Sequence, residues 1–256
     1  MRVVDRHQRI LEVLAIDGSS SVERFSQDFD VSMETVRKDL VYLEAHGKLR
    51  RIRGGASRAR SDSLNLPLPE RASFNRVEKA AIARAACKLI EPRQAVFLDG
   101  SSTVLTMTEF FPEIEATVLS NASHVVVALG ERPRLHLVCT GGEYEARSRS
   151  YTGVLAEESM SRYLIQILFV GVNGFDLERG ASEINPGQAR LKEKLVSLAE
   201  KVCVLADHTK LNTRSAFFFA RPSDVDILIT DELASLEVVD RIRQLGITVI
   251  RARQEA

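Results

Sequence analysis

The stretch Val31-Ser32-Met33-Glu34-Thr35-Val36-Arg37-Lys38-Asp39-Leu40-Val41-Tyr42-Leu43-Glu44 decides how the first sixty residues fold. Ser32 is a good N-cap, since its hydroxyl accepts from the unpaired N–H groups of a first helical turn. Glu34 suits the positive helix end, and Val31 and Val36 stand where a hydrophobic staple would hold them. Val36, Leu40 and Leu43 recur at helical spacing as a buried stripe. That register turns Glu34, Arg37, Lys38 and Val41 away from the core and leaves Thr35 and Tyr42 at the edge of the exposed arc. Gly47 supplies a C′ residue, so the helix is expected to stop near His46.

Working outward, Ile10, Leu11, Val13 and Leu14 predict an amphipathic helix from Arg6 to Ile16, ended by Asp17-Gly18. Ser21 caps a second short helix with Val22, Phe25 and Phe29 facing inward. Two short helices leading into a third with a polar, basic outer face is the arrangement that sets a recognition helix in the major groove. Downstream, Lys48 to Arg53 reads as a strand with Leu49 and Ile52 packing on the helices, and Gly54-Gly55 permits a tight turn. A hairpin wing rich in Arg would contact phosphates or the minor groove. The expected DNA-contacting residues are therefore Ser32, Glu34, Thr35, Arg37, Lys38 and Tyr42 on the helix, with Arg50, Arg51 and Arg53 on the wing.

Val31-Ser32, Thr35-Val36-Arg37-Lys38-Asp39-Leu40, Leu43-Glu44, Gly47, Leu49-Arg50-Arg51 and Gly54-Gly55-Ala56 together resemble the N-terminal signature of the DeoR family. That family includes repressors of glycerol phosphate, deoxyribonucleoside and hexitol metabolism. The resemblance implies a transcription regulator with double-stranded operator DNA as partner; paired half-sites would call for a homo-oligomer, a dimer or tetramer.

Bulk properties are compatible. The 256 residues carry a formal net charge of zero, with 45% hydrophobic and 27% charged residues, ordinary for a globular protein. Zero overall charge hides a local bias: residues 1 to 60 hold 12 Lys+Arg against 9 Asp+Glu. Cys87, Cys139 and Cys203 are far apart with no metal-ligand or redox spacing, so all three are expected to be buried reduced thiols. No metal or cofactor is expected. The N-terminus lacks an apolar signal core, and the apolar run around Leu164 to Val172 is too short to span a bilayer, which predicts a cytoplasmic protein without membrane attachment.

Residues 1–57 are thus expected to form a winged helix-turn-helix domain. Residues 58–74, with several Ser and with Pro67 and Pro69, show no periodicity and read as a linker. Residues 75–256 alternate helical stretches with short β-rich runs at Ala95 to Leu98, Ala116 to Leu119, Leu135 to Cys139, Ile165 to Val170, Val202 to Leu205, Ile227 to Ile229 and Thr248 to Ile250. Such alternation predicts a mainly parallel sheet with helices on both faces, an α/β domain.

In open α/β sheets ligands bind beyond the carboxyl ends of the strands. The first run leads into Asp99-Gly100-Ser101-Ser102-Thr103 and a helical stretch, where free N–H groups, hydroxyls and the helix dipole suit an anion, best of all phosphate. Other runs end in Ser120-Asn121, Thr140-Gly141-Gly142, Gly171-Val172-Asn173-Gly174, Asp207-His208-Thr209-Lys210 and Thr230-Asp231. The series resembles the DeoR sensor domain, whose fold is related to ribose-5-phosphate isomerase, and so do Pro67, Glu70, Arg71, Asn75, Glu78 and Lys79 ahead of it. The resemblance implies a phosphorylated sugar or polyol effector. Ser101, Ser102 and Thr103 would hold phosphate, Asp99, Asn121, Asn173, Asp207 and Lys210 would read the rest, and Lys192 sits where the family has a lysine. Gly100, Gly141, Gly142, Gly171 and Gly174 complete the expected site.

Gln166 and Gln188 stand where an acid is expected from the resemblance, which alters charge and donor pattern in or near the pocket. Leu211-Asn212 replaces an aromatic-glycine pair. The leading reading is a non-enzymatic repressor of a carbohydrate operon, released by its effector. The alternatives are a sugar-phosphate isomerase using Asp99, Asp207 and Lys210 in acid/base roles, and an activator of the same family.

Overall fold

The computed structural model describes residues 2–17, 19–45, 48–52, 54–58 and 66–254, and the backbone but not the side chains of 15, 16, 50, 57 and 58. The chain divides into two compact units between Leu66 and Pro67.

In the first unit, α1 (Val3–Asp17), α2 (Val22–Phe29) and α3 (Met33–Ala45) pack with a three-stranded antiparallel sheet of β1 (Ser19–Ser21), β2 (Leu49–Ile52) and β3 (Gly55–Arg58), in the order β1-β3-β2. The core is the expected stripe: Ile10, Leu14, Val22, Phe25, Phe29, Val36, Leu40, Leu43 and Leu49 are buried together. Ser21 caps α2 by accepting from Arg24 N–H at 3.1 Å, and Ser32 accepts from Thr35 N–H at 3.1 Å. Two points differ from the sequence reading. Ile52 does not pack inward but is 47% exposed. Ser19–Ser21 is a strand, which no hydrophobic pattern announces; it forms because β3 pairs with it, and Gly55 lets the backbones close, since a Cβ there would lie 2.2 Å from Ser20 O. The C′ role of Gly47 falls outside the described residues.

The second unit begins earlier than its periodicity suggests. The expected linker contains α4 (Leu68–Ser73), with Leu68 buried and its N–H donating to Arg147 O at 2.9 Å. Then come α5 (Arg76–Cys87), β4 (Ala95–Leu98), α6 (Ser102–Phe110), β5 (Ala116–Ser120), α7 (Ser123–Leu129) and β6 (Leu135–Cys139). A hairpin, β7 (Glu143–Glu145) and β8 (Ser150–Thr152), leads to α8 (Val154–Met160) and β9 (Ile167–Gly171). Beyond lie β10 (Gly174–Asp176), β11 (Gly180–Glu183), α9 (Pro186–Leu198), β12 (Val202–Leu205), β13 (Phe217–Ala220), β14 (Ile227–Asp231), α10 (Leu236–Gln244) and β15 (Thr248–Ala252).

All seven predicted runs are strands of one wholly parallel sheet, ordered β15-β14-β12-β9-β4-β5-β6. Alternate residues serve opposite faces, as the pleat requires. Val96, Leu98, Ile167, Phe169, Cys203 and Leu205 pack with residues of α5, α6 and α7. Phe97, Leu168, Val170, Val202 and Val204 pack with residues of α8, α9 and α10. The sequence did not announce β10-β11-β13, a separate antiparallel sheet, nor the β7-β8 hairpin. Cys87 and Cys203 are buried as expected, but Cys139 is exposed, because β6 is an edge strand.

Candidate functional site

On the first unit Arg37 and Lys38 project from α3 into solvent, and Arg37 lies 3.7 Å from Glu34 one turn away. Ser32 and Thr35 face each other at the helix start, their hydroxyls 2.9 Å apart. Tyr42 is exposed, with its ring stacked on His7 at 4.9 Å. Arg51 is drawn back to α3: its Nε and backbone N–H both donate to the Glu44 carboxylate at 2.8 Å. The Arg50 side chain and all of Arg53 lie outside the described residues.

In the second unit the parallel sheet carries Asp99, Asn121, Gly171 and Asp207 to one edge, at the carboxyl ends of β4, β5, β9 and β12. Asp99 organises two of these ends, accepting from Ser101 N–H at 2.9 Å and from Gly171 N–H at 3.1 Å. Ser101 then caps α6 by accepting from Val104 N–H at 3.2 Å. Gly171 is required here, because a Cβ would fall 2.3 Å from Ser101 Oγ. Gly100 presses against Ser150 in the same way, at 2.8 Å to its Cβ.

Lys192 reaches in from α9 and donates to Gly171 O at 3.0 Å and Glu183 Oε2 at 2.5 Å, with Asp99 Oδ2 at 3.3 Å. Burial alone would lower its pKa, but the charges of Glu183 and Asp99 raise it, so it is a fixed ammonium. All three ammonium donors therefore have protein acceptors. Lys192 and Asp99 act as internal struts that shape the strand ends.

The other groups divide similarly. Asn173 Oδ1 accepts from Ile184 N–H at 3.1 Å, and Gly174 lies inside β10, where a Cβ would meet Thr213 O at 2.6 Å. Gly142 lets the chain pass Thr152 O, whereas Gly141 turns at φ +64° in open space. Asp207 accepts from Thr209 N–H at 3.0 Å; burial would raise its pKa, but the charges of Lys210 and Lys79 hold it below the usual range. The Ser102 and Thr103 hydroxyls and the half-buried Lys210 ammonium have no hydrogen-bond or ion-pair partner among the described residues. They are the groups free to meet an anion at the start of α6 and beside Asp207.

Three residues named in the sequence but left outside the expected site also find their places. Buried Lys79 donates to Arg71 O at 2.5 Å and Phe74 O at 2.7 Å, closing the α4–α5 junction, and burial pushes its pKa down to about 8. Gln188 donates to Ser150 Oγ at 2.8 Å and faces Glu145 Oε2 at 3.4 Å, while accepting from Asn121 at 3.3 Å. An acid at 188 would oppose Glu145, so the amide follows from its neighbour. Gln166 is not in the pocket at all: it accepts from Ala95 N–H at 2.9 Å, at the start of β4 and the opposite sheet edge.

A helix-turn-helix with Arg37 and Lys38 on its outward face and a hairpin behind it, followed by a parallel α/β unit with a polar strand-end site, defines a DNA-binding transcriptional regulator with a sensor domain. The chain matches the DeoR-like helix-turn-helix domain over residues 6–62 and the DeoR C terminal sensor domain over residues 74–232. It belongs to the DeoR family of transcriptional regulators. It is 34% identical to an uncharacterized HTH-type transcriptional regulator of Bacillus subtilis, with 90% of each chain covered. It is 32% identical to the HTH-type transcriptional regulator GlpR of Haloferax volcanii, covering 98% of each. A putative aga operon transcriptional repressor of Escherichia coli O157:H7 is 31% identical over 96% of this chain and 93% of that one. Ribose 5-phosphate isomerase A of Methanocaldococcus jannaschii shows a looser likeness, with TM-score 0.39 and 16% identity over 54% of this chain and 55% of that one.

Proposed function

We propose that the protein represses a carbohydrate-utilisation operon: α3 and the wing bind operator DNA, the chain acts as a dimer or tetramer in the cytoplasm, and a phosphorylated sugar or polyol at the strand ends releases it. The observation that carries this reading is the presence of unpaired donors at Ser102, Thr103 and Lys210 in the same chain as a helix-turn-helix domain. The E. coli relative described as an aga operon repressor supports the carbohydrate class. Against isomerase chemistry stands the engagement of Asp99, whose oxygens accept from Ser101, Gly171 and Lys192.

The test is a thermal-shift series with sugar and polyol phosphates beside their unphosphorylated forms, since a ligand that prefers the folded state raises its apparent stability. Phosphorylated members alone should shift the transition. A selected ligand should weaken operator binding, and operator DNA should weaken that ligand by the same factor. Tight effector binding indifferent to operator would overturn the induction model. Turnover of a sugar phosphate that disappears in Asp207→Ala would establish the isomerase instead. Expression from the operator that falls when the protein is deleted would mark an activator.

A further inference from the structure

Three polar side chains around the strand ends each hold a buried atom with no hydrogen-bond partner among the described residues: Asn121 Oδ1, Arg71 Nε, and one ring nitrogen of His124, whose other nitrogen leans on the Arg149 backbone. Asn121 is 2% exposed and is held in place through its amide nitrogen, which donates to Tyr151 O at 3.0 Å. His124 lies one helical turn on, in α7, within electrostatic reach of Asp99, Arg71 and Arg149. Unpaired buried polar atoms are rare in folded proteins, and three neighbouring residues sharing the condition ask for a common cause. The sensor site described above is that neighbourhood.

Resting on that sensor reading, we infer that Asn121, His124 and Arg71 form a diol-reading end of the effector pocket, reached when α4 shifts. The donor pattern selects the ligand class. Burial pushes the His124 pKa down to about 4, outweighing the Asp99 charge and the Arg149 backbone hydrogen bond, so at neutral pH the nitrogen beside Arg149 donates to that backbone and the other is left as an acceptor. Arg71 Nε adds a donor and Asn121 Oδ1 an acceptor. Adjacent hydroxyls, each donor and acceptor at once, complement this set. A phosphate or carboxylate does not, because its negative charge would face the Asn121 carbonyl and the Asp99 carboxylate.

The same atoms are sealed from solvent, so no ligand pairs with them while the surrounding elements stay as they are. Arg71 is on α4, the short helix that opens the second unit just beyond the segment joining it to the first. Its movement makes diol recognition a signal at the end of the chain nearest the DNA-binding unit in sequence. An anion alone, held at Ser102 and Thr103, leaves α4 where it is.

The full-length protein is titrated with inorganic phosphate, glucitol 6-phosphate and glucitol, as wild type and as Arg71→Gln and His124→Phe, while hydrogen exchange of the α4 amides is followed. Glucitol 6-phosphate should bind wild type at least tenfold tighter than inorganic phosphate and should alter α4 exchange, which phosphate does not. Both variants should bring glucitol 6-phosphate to within threefold of inorganic phosphate while leaving phosphate affinity as it was. If His124→Phe fails to fold, Arg71→Gln on the half-exposed α4 carries the comparison. Variants that keep the polyol preference, or that weaken phosphate equally, overturn this inference and leave the sensor reading standing. A wild-type protein that binds none of the phosphates overturns both.

Discussion

Arg6 of α1 and Asp39 of α3 form a two-pronged ion pair, Nε to Oδ2 at 2.5 Å and Nη2 to Oδ1 at 3.1 Å, with both side chains 7% exposed. His7 adds a third contact, its Nε2 lying 2.9 Å from Asp39 Oδ1, and the same imidazole stacks on Tyr42. Asp39 thus anchors α3 from its inner side while Arg37 and Lys38 project from the outer one, Arg37 beside Glu34.

Removing one partner of such a pair leaves the other charge buried and uncompensated. Asp39→Ala should destabilise the first unit by about 3 kcal/mol. The double change Arg6→Met with Asp39→Leu should recover most of that, since well-packed apolar residues replace buried pairs with little loss. Urea-dependent hydrogen exchange of the α1 and α3 amides reads both. An unchanged opening free energy in Asp39→Ala would show that the pair does not anchor the helix.

The outer face makes a separate prediction. Lys38→Ala should weaken binding to all DNA sequences alike and lower the salt slope by about one phosphate contact. Arg37→Ala should instead reduce the preference for operator over random DNA, by about 1–3 kcal/mol if it reads a base edge. Operator binding by both variants equal to wild type at physiological salt would mean that α3 does not enter the groove.

At the strand ends, Gly171→Ala should be the costlier of two glycine changes. Its Cβ would displace the Ser101 side chain that caps α6, at about 1–3 kcal/mol of stability, with loss of phosphate affinity. Gly141→Ala meets no neighbour and should cost only its left-handed conformation, about 1 kcal/mol. Urea midpoints rank the pair, and equal midpoints would count against the close approach of Gly171 to Ser101.

Lys192→Met should cost about 3–5 kcal/mol, because Asp99 and Glu183 would face each other without the ammonium between them. The loss should shrink as pH falls. With the cation gone, two buried carboxylates face each other, a repulsion that acid relieves. A penalty equal at pH 5 and pH 8 would contradict the strut role.

These struts also mark where the sequence stops being legible. The seven parallel strands are readable because buried strands appear as short apolar, β-branched runs such as Ile167–Gly171. β10 is not, because Gly174–Asp176 has three residues and no pattern, and it exists through pairing with β11. The strand-end residues can be named from their position just beyond each run, but their duties depend on partners far along the chain. Asp99 meets Gly171 and Lys192; Asp39 meets Arg6; Gln188 meets Glu145. Arg71 stands in a stretch that reads as linker, and nothing in local spacing brings it near His124.

Histidines 124 and 208 give opposite pH signatures, separable because their windows adjoin. Burial pushes His124 from 6.5 to about 4, so below pH 6.5 the unfolded chain takes up a proton that the folded chain refuses. Stability should fall by up to about 3 kcal/mol as pH drops from 6.5 to 4. His208 is raised: burial would lower it, but the hydrogen bond and charge of Asp231, 3.0 Å from Nδ1, overcome that. Its contribution is fully present below pH 6.5 and is lost as pH rises through the raised folded value. The carboxylates of Asp176 and Asp207, held below their usual range, matter only as pH falls through 4 and lower. The two histidines together place their stability maximum near pH 6.5, while Lys79, pushed down to about 8 by burial, adds stability as pH rises past 8 and opposes the His208 limb there. His124→Gln should flatten the acid limb between pH 6.5 and 4, and Asp231→Asn the limb above 6.5. Urea midpoints across pH 4 to 8.5 test both; an acid limb as steep in His124→Gln as in wild type would assign the proton uptake to another group.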